Sequence, residues 1–321
     1  TGNTNNGISK IIPLTSNYIG TIDGGKDMST VNSFFTKATY KGAVSSSNDW
    51  TTGWTLASNA VQQSETLEGS LTSGTKTLTA NKVYYLTGGY TVKSGATLKI
   101  EAGVTVIAKN DNIVDYILIE QGGKIDAQGT ASSPIVMTSE KKEAGAWGGI
   151  HICGYAHTNL GATSKSEIGD ATYGGTNDAD NSGTLRYIRL EYTGYAFSEE
   201  KEANGVSFYG VGNGTTVEYL QAYKGSDDGF EFFGGSVNVK YLVATDCSDD
   251  SFDWTEGWNG YGQFLVAYQG DKTTIGYDCD CLIEADNNGK NAAATPVSAP
   301  VLANMTLVGN SSTANKRGIR L

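Results

Sequence analysis

A segment of the chain occurs twice in succession, and this repeat restricts the folds open to it. Val217–Phe232 reads VEYLQAYKGSDDGFEF, and Val239–Trp254, 22 residues further on, reads VKYLVATDCSDDSFDW. Each copy contains an alternating apolar strand, a polar turn with two aspartates and an aromatic strand, without a helical period. A period of this length in strand-only sequence is typical of a β-solenoid, in which equivalent residues of successive coils stack in register.

Weaker copies extend the repeat in both directions. Leu185–Ile188 followed by Asn204–Phe208 precedes the two strong copies, and Phe264–Ala267 followed by Asp280–Glu284 comes after them. In the first half, strands that begin at Leu98, Ile117 and Ile135 are spaced by 19 and 18 residues, which we interpret as further coils. Alternation within the strands predicts an inward ladder whose first level is Val206, Phe230 and Phe252, and whose second is Phe208, Phe232 and Trp254.

These patterns predict an all-β chain organised as a parallel β-helix over residues 58–321. Polar, glycine-rich stretches near 154–183, 270–278 and 286–300 interrupt the repeat and are expected to be loop insertions. Residues 1–57 carry aromatic clusters but no repeat, so we interpret them as an N-terminal tail with a cap or appended element.

Charge and composition exclude several classes of protein. The formal net charge of the 321 residues is −11 and the pI about 4.7, which argues against a nucleic-acid partner because phosphate binding requires a basic face. No apolar run approaches the ~20 residues of a membrane-spanning helix, so no transmembrane segment is predicted. The chain contains 42 glycines and 4 prolines, which suits many short strands joined by tight turns.

The four cysteines form no CxxC pair, which makes a structural zinc site improbable. Two alternatives remain open. Cys153, Cys247, Cys279 and Cys281 are buried free thiols, or one disulfide joins Cys247 to Cys279 or Cys281.

Several motifs resemble a large group of exported surface proteins of Bacteroidetes type, often described as lipoproteins with a pectin-lyase-like right-handed β-helix. The resemblance covers roughly residues 75–321. It rests on WGGIHICG at Trp147–Gly154, YGGTNDADNSGTLRYIRLEYTG at Tyr173–Gly194, SDDGFEFFGG at Ser226–Gly235, DDSFDWTEGWNGYGQF at Asp249–Phe264, IEADNNGKNAAATP at Ile283–Pro296 and KRGIRL at Lys316–Leu321. FFTKATYKGA at Phe34–Ala43 and DWTTGW at Asp49–Trp54 also recur in that group. The resemblance implies a right-handed β-helix at an extracellular or outer-membrane surface, and it implies no catalytic residues.

Acidic residues recur at equivalent positions of the repeat and form the main candidate site. The predicted register stacks Glu231, Asp253 and Glu284 on the outer face, about 4.8 Å apart, where their charges repel. A bound Ca²⁺ would relieve that repulsion, since calcium takes six to eight oxygen ligands. Alternatively, the turn aspartates accept hydrogen bonds from backbone amides and serve the fold alone. The candidate ligands are Asp227, Asp228, Glu231, Asp249, Asp250, Asp253 and Glu284.

Two further interpretations concern carbohydrates. Trp254, Trp258 and Tyr261 follow the last acidic turn and would make a sugar-binding platform if exposed, although Trp254 also fits the inward ladder. Paired carboxylates suffice for glycoside hydrolysis, and calcium with an arginine base suits a polysaccharide lyase. The arginines available for the latter are Arg186, Arg189, Arg317 and Arg320.

The repetition of the aspartate pair on successive coils favours a structural over a catalytic role, and no catalytic residue is assigned. The sequence therefore predicts a non-enzymatic cell-surface β-helix that binds glycan or another macromolecule, or that forms part of the surface itself. A polysaccharide hydrolase or lyase is the alternative.

Overall fold

The structure is a computed structural model, and it describes residues 27–33, 35–37, 63–80, 82–198, 201–310 and 317–321. The chain divides into two compact units, Thr1–Gln63 and Ser64–Leu321. In the first unit a 3₁₀ turn spans Met28–Thr30, and the Asp27 carboxylate caps it by accepting the Ser29 N–H. The cap or appended element expected over residues 1–57 lies largely outside the described residues.

The second unit is built almost entirely of short strands. The helix α1 spans Lys272–Ile275. In chain order the strands are β1 Gln63–Leu67, β2 Ser70–Leu71, β3 Gly74–Leu78, β4 Lys82–Leu86, β5 Gly89–Val92, β6 Ala96–Ile100, β7 Thr105–Ala108, β8 Tyr116–Ile119, β9 Lys124–Gln128, β10 Ile135–Ser139, β11 Ile150–Cys153, β12 Ser164–Lys165, β13 Thr172–Tyr173, β14 Gly183–Glu191, β15 Ala196–Ser198, β16 Lys201–Glu202, β17 Val206–Tyr209, β18 Thr216–Tyr223, β19 Phe230–Phe233, β20 Asn238–Thr245, β21 Phe252–Thr255, β22 Tyr261–Tyr268, β23 Ile283–Ala285, β24 Val301–Val308 and β25 Ile319–Arg320.

Two parallel sheets run the length of this unit. Among the described residues, one has twelve strands and contains β14, β18, β20, β22 and β24 in succession, and the other has nine strands in the order β2-β5-β8-β11-β17-β19-β21-β23-β25. Neighbours within a sheet come from successive coils, and the chain alternates between the sheets. This is a right-handed parallel β-helix, which confirms the predicted fold class.

The register predicted from the repeat is confirmed in detail. Phe230 pairs with Val206 on one side and with Phe252 on the other, and Phe232 likewise lies between Phe208 and Trp254. These side chains point inward, and the Phe230 and Phe252 rings stack with centroids 5.6 Å apart. They form the centre of a continuous apolar core that extends along the whole solenoid.

The spacing interpreted as coils in the first half was wrong. Ile117 pairs with Ile150 in the nine-stranded sheet, whereas Ile135 pairs with Ile188 in the twelve-stranded sheet. Leu98 pairs with Ile125. These strands lie on three different faces of the β-helix, and β6 and β10 belong to different coils because β6 stacks on β9. Their near-constant separation therefore does not mark equivalent positions.

The long strands of the second half are bent at one residue each. Tyr187, Tyr219, Tyr241, Phe264 and Asn304 have φ between 50° and 61°, in the left-handed region. In the first coils the corresponding faces are separate strands, since β14 pairs with β9 through its first half and with β10 through its second. The bend lets one strand serve two faces of the coil, and it turns these five side chains outward.

The insertion at 154–183 folds back onto the β-helix. Its short strands β12 and β13 pair antiparallel, and its residues Ala171 and Tyr173 pack on outward-facing Tyr209 and Phe233 of the nine-stranded sheet. A second apolar cluster thus forms outside the solenoid core, at the ends of β11, β17 and β19. At 270–278 the chain forms α1, which Asp271 caps.

Candidate functional site

The candidate site lies on the outer face of the nine-stranded sheet. One outward-facing position per coil forms a row along this sheet that changes from apolar and neutral to acidic and then to basic. In order the row contains Leu118, His151, Ser207, Glu231, Asp253, Glu284 and Arg320. Leu118, at the apolar end of this row, belongs to the apolar cluster formed with the insertion.

The acidic ladder predicted from the repeat, Glu231, Asp253 and Glu284, is present in this row. The residues at both ends of this ladder, Glu231 and Glu284, accept side-chain hydrogen bonds. The Asn204 amide donates to Glu231 Oε2 at 2.6 Å, and Arg320 Nη1 donates to Glu284 Oε2 at 2.8 Å. Arg320, in the terminal strand β25, neutralises Glu284, which the repeat alone did not predict.

The second aspartate of each turn pair acts as a backbone cap. The Asp250 N–H donates to Asp228 Oδ1 at 2.8 Å, and the Cys281 N–H donates to Asp250 Oδ1 at 2.6 Å. Each carboxylate therefore holds the turn of the next coil. Structural turn capping, one of the two alternatives for the paired aspartates, is present at both of these positions.

Two acidic residues that sequence analysis did not single out join the site. Glu167 comes from the insertion between β12 and β13, and Glu202 lies in the β15–β16 hairpin. The Tyr209 hydroxyl donates to Glu167 Oε2 at 3.4 Å. Neither residue belongs to the repeat, so no periodic signal could have identified them.

Carboxylates from separate elements thus converge. We call the following residues the acidic cluster: Glu167, Glu202, Asp227, Asp228, Glu231, Asp249, Asp250 and Asp253. Within it, three sets each bring their oxygens within 4.8 Å of one another: Glu202 with Asp227 and Asp249, Asp228 with Glu231 and Asp253, and Asp228 with Asp249 and Asp250. A fourth set at this distance joins Asp250 to Cys281 and Glu284. Glu284, the remaining predicted ligand, pairs with Arg320 at the edge of the acidic cluster.

Burial and mutual repulsion make these acids hold their protons. Desolvation raises the pKa of Asp227 to about 8, of Asp250 to about 9, and of Glu167 and Asp253 to about 7. Desolvation by burial, together with the nearby charges of Asp253 and Glu167, raises the pKa of Glu231 well above its usual value. Near neutral pH several carboxyl groups of the acidic cluster are therefore protonated.

The predicted aromatic platform is not formed. Trp254 is 8% exposed and Trp258 1%, because Trp254 occupies the inward ladder and Trp258 stacks on Phe232 with centroids 4.1 Å apart. Only Tyr261 of the three is exposed, at 63%. The alternative that placed Trp254 in the core was the better interpretation.

A different aromatic surface lies on the twelve-stranded sheet. Tyr187, Tyr219, Tyr241 and Phe264, which we call the aromatic ridge, stack in that order with centroid separations of 4.3, 4.3 and 4.9 Å and nearly parallel planes. A groove of about 350 Å³ follows one side, lined by Gln221, Val243 and Val266. A second groove, of about 580 Å³, lies on the first halves of the same strands and is lined by Glu218, Lys240 and Gln263 among others, without the ridge residues.

Three of the four arginines considered for a lyase form ion pairs, and two of these pairs lie away from the acidic cluster. Arg186 pairs with Glu218 at 2.9 Å and Arg189 with Glu191 at 2.5 Å, both on the twelve-stranded sheet. Arg320 pairs with Glu284. His157 pairs with Asp178 and contacts the Asn259 amide at 3.1 Å, away from the acidic cluster.

The cysteines are all buried and free, which confirms the first of the two alternatives for them. Among the described residues, no helix combines the length and the apolar character of a membrane span.

Comparison with known proteins identifies a fold family. Residues 69–321 match the family described as "Pectate-lyase like beta helix domain". No curated protein and no solved structure gives a significant match.

Proposed function

Because the chain belongs to the pectate-lyase-like β-helix family, a fold that does not by itself specify an activity, we propose that it is a non-enzymatic cell-surface β-helix that binds glycan. The observation that carries this proposal is the aromatic ridge with the groove that its rings line. Binding there would take place at an extracellular or outer-membrane surface.

The aromatic ridge presents apolar and polar groups side by side. Its rings line a groove together with Val243 and Val266. Glu218, Lys240 and Gln263 each precede a ridge residue in the same strand and line a separate groove. A saccharide has the same amphipathic character, with C–H groups and hydroxyls on each ring, and such sites combine aromatic surface with a few polar groups. Because the ridge crosses four coils, it suits an extended chain better than a single sugar.

The residues of the aromatic ridge have an unfavourable left-handed backbone conformation. A tyrosine with φ near 58°, as at Tyr219 and Tyr241, is uncommon because the left-handed region is unfavourable for residues with a Cβ. Stacking along the coil offsets part of this cost. The result is a rigid row of rings, and a rigid surface loses little conformational entropy when a partner binds.

A glycan array followed by titration calorimetry tests the proposal. We expect binding to at least one extended polysaccharide, weakened at least tenfold by the double change Tyr219→Ala and Tyr241→Ala. Tyr155→Ala is the matched control, since Tyr155 is 39% exposed on the insertion and outside the ridge. Binding unaffected by the double change, or no binding to any glycan, would contradict the proposal.

A polysaccharide hydrolase is the second candidate, favoured by the convergence of Asp227, Asp253 and Glu167. Their raised pKa values would place a protonated acid beside an ionised one near neutral pH, which glycoside hydrolysis requires. Release of reducing ends from a polysaccharide panel, abolished by Asp227→Asn, would establish this function. Absence of such release alongside glycan binding supports the non-enzymatic proposal.

A further inference from the structure

The aromatic ridge repeats one kind of chemical group at the spacing of the coils. Its four residues lie on β14, β18, β20 and β22, which pair in that order. Neighbouring ring centroids are 4.3, 4.3 and 4.9 Å apart, and neighbouring ring planes are inclined by no more than 10°. A ligand that follows the ridge along the axis of the β-helix therefore meets the same surroundings once per coil.

The groove beside the ridge combines hydroxyl-bearing and apolar side chains. Because the rings cover one another's faces, they present their edges and phenolic hydroxyls to a ligand. The Tyr219 hydroxyl hydrogen-bonds with those of Tyr187 and Tyr241, which makes a polar row along the ridge. Val243 and Val266, two positions after ridge residues in their strands, add apolar surface to the same groove. A sugar ring with equatorial hydroxyls has the matching arrangement, with apolar C–H groups on its faces and hydroxyls at its edge.

The charges around this groove favour a neutral ligand. None of the described residues that line it is charged. In the separate groove, Glu218 and Lys240 pair in register with opposite signs, and Glu218 also forms an ion pair with Arg186. The whole chain has a formal net charge of −11. An anionic polysaccharide would therefore approach a negatively charged protein and find no cation in the groove to compensate it.

We propose that this groove binds a neutral glycan whose linkages are all equatorial, as in cellulose, mannan or chitin, with one sugar per coil. This inference rests on the proposed glycan-binding function and names the class of ligand. A chain with equatorial linkages is straight, and each sugar advances by slightly more than the spacing of about 4.8 Å between adjacent strands. The sugars therefore stay in step with the four coils of the ridge. An axial linkage, as in amylose, makes the chain coil, so that equivalent contacts cannot repeat along a straight ridge.

Titration calorimetry of the full chain with oligosaccharides of two to six sugars tests this inference. The neutral equatorial series are cello-, manno- and chito-oligosaccharides. Maltooligosaccharides replace the equatorial linkage by an axial one, and cellouronic acids keep the equatorial linkage but add a carboxylate. For at least one neutral equatorial series we expect affinity to rise at least tenfold from dimer to tetramer and less than twofold from tetramer to hexamer. Both comparison series should bind at least tenfold more weakly at equal length, and salt should leave the neutral affinity unchanged because no ion pair contributes.

Shortening the ridge by one ring tests the correspondence between sugars and coils. Phe264→Ala removes the last ring, so it should lower the affinity for the tetramer to about that of the wild type for the trimer and leave the affinity for the trimer unchanged. Tyr261→Ala is the matched control, because Tyr261 is 63% exposed on the same sheet but lines the separate groove. It should bind every oligosaccharide as the wild type does.

The results distinguish this inference from the glycan-binding function on which it rests. Binding that the double change Tyr219→Ala and Tyr241→Ala removes, but that is no tighter for tetramers than for dimers, overturns the inference and leaves glycan binding at the ridge in place. Tighter binding of maltooligosaccharides or cellouronic acids does the same. Loss of binding in Tyr261→Ala would place the ligand in the other groove and also overturn the inference. No binding to any glycan would refute both proposals.

Discussion

The inward aromatic ladder gives the most direct test of the fold, through Phe230→Ala. Phe230 is fully buried, pairs with Val206 and Phe252 on the adjacent coils, and stacks on the Phe252 ring at 5.6 Å. Removing the ring leaves a cavity with the coils above and below held by backbone hydrogen bonds, so the walls cannot close around it. A truncation of this kind costs about 3–5 kcal/mol.

The expected change in melting temperature follows from the size of the unit. For a unit of roughly 250 residues, each kcal/mol lowers the melting temperature by about 2–4 °C, so Phe230→Ala should lower it by roughly 10 °C. Urea unfolding followed by circular dichroism would report the free energy directly, with an unchanged slope against denaturant.

Phe264→Ala is the matched control, because it removes the same ring from the outside of a coil. Phe264 is 38% exposed and stacks on Tyr241 at 4.9 Å, so its loss should cost about 1 kcal/mol. If Phe230→Ala destabilises the chain no more than Phe264→Ala, the ring is not in the core and the inferred register is incorrect.

The remaining predictions concern the acidic cluster and the thiols. Burial raises the pKa of Asp227 to about 8 and that of Asp253 to about 7, whereas carboxyl groups in the unfolded chain titrate near 4. The folded chain therefore binds these protons more tightly than the unfolded chain does. Their contribution to stability is complete below about pH 4 and is lost as the pH rises through 7–8. In chelator the melting temperature should therefore fall between pH 4 and 9, and a rise would contradict this assignment. Calcium at a hundredfold excess over its Kd should restore about 2.7 kcal/mol of unfolding free energy at pH 8, measured by chemical denaturation, and no restoration would argue against a folded-state site. Asp228→Ala should lower the free energy of unfolding by about 1–3 kcal/mol, because it leaves the Asp250 N–H without its acceptor. Asp228→Asn keeps an acceptor oxygen and should not lower it in this way. Equal losses for both variants in urea unfolding would refute the capping role. Cys247 is buried, and burial raises the pKa of its thiol to about 12. It should therefore resist alkylation in the native chain and react after denaturation, which mass spectrometry would show. Rapid labelling of the native chain would contradict its burial.

The repeat made part of the site predictable. Once Val217–Phe232 is aligned with Val239–Trp254, alternation places Phe230 and Phe252 inside and stacks Glu231 on Asp253 outside, and both statements hold in the structure. Spacing alone was insufficient in the first half, where strands from different faces have similar separations.

The sequence shows the aromatic ridge only as tyrosines at equivalent positions of the repeat. Tyr219 and Tyr241 align in the repeat, but nothing in the residue type indicates a left-handed backbone, which asparagine or glycine would have suggested. The bend arises because one long strand must serve two faces of the coil.

The sequence by itself determined the period, the inward ladder and the acidic row, because stacking in a solenoid converts a linear repeat directly into contacts. Only the tertiary structure decided which other groups meet that row. Glu167 and Glu202 come from non-repeating segments, and Arg320 comes from a strand beyond an insertion. Their approach depends on how loops fold back across the sheet, and a loop has no period from which its destination can be inferred.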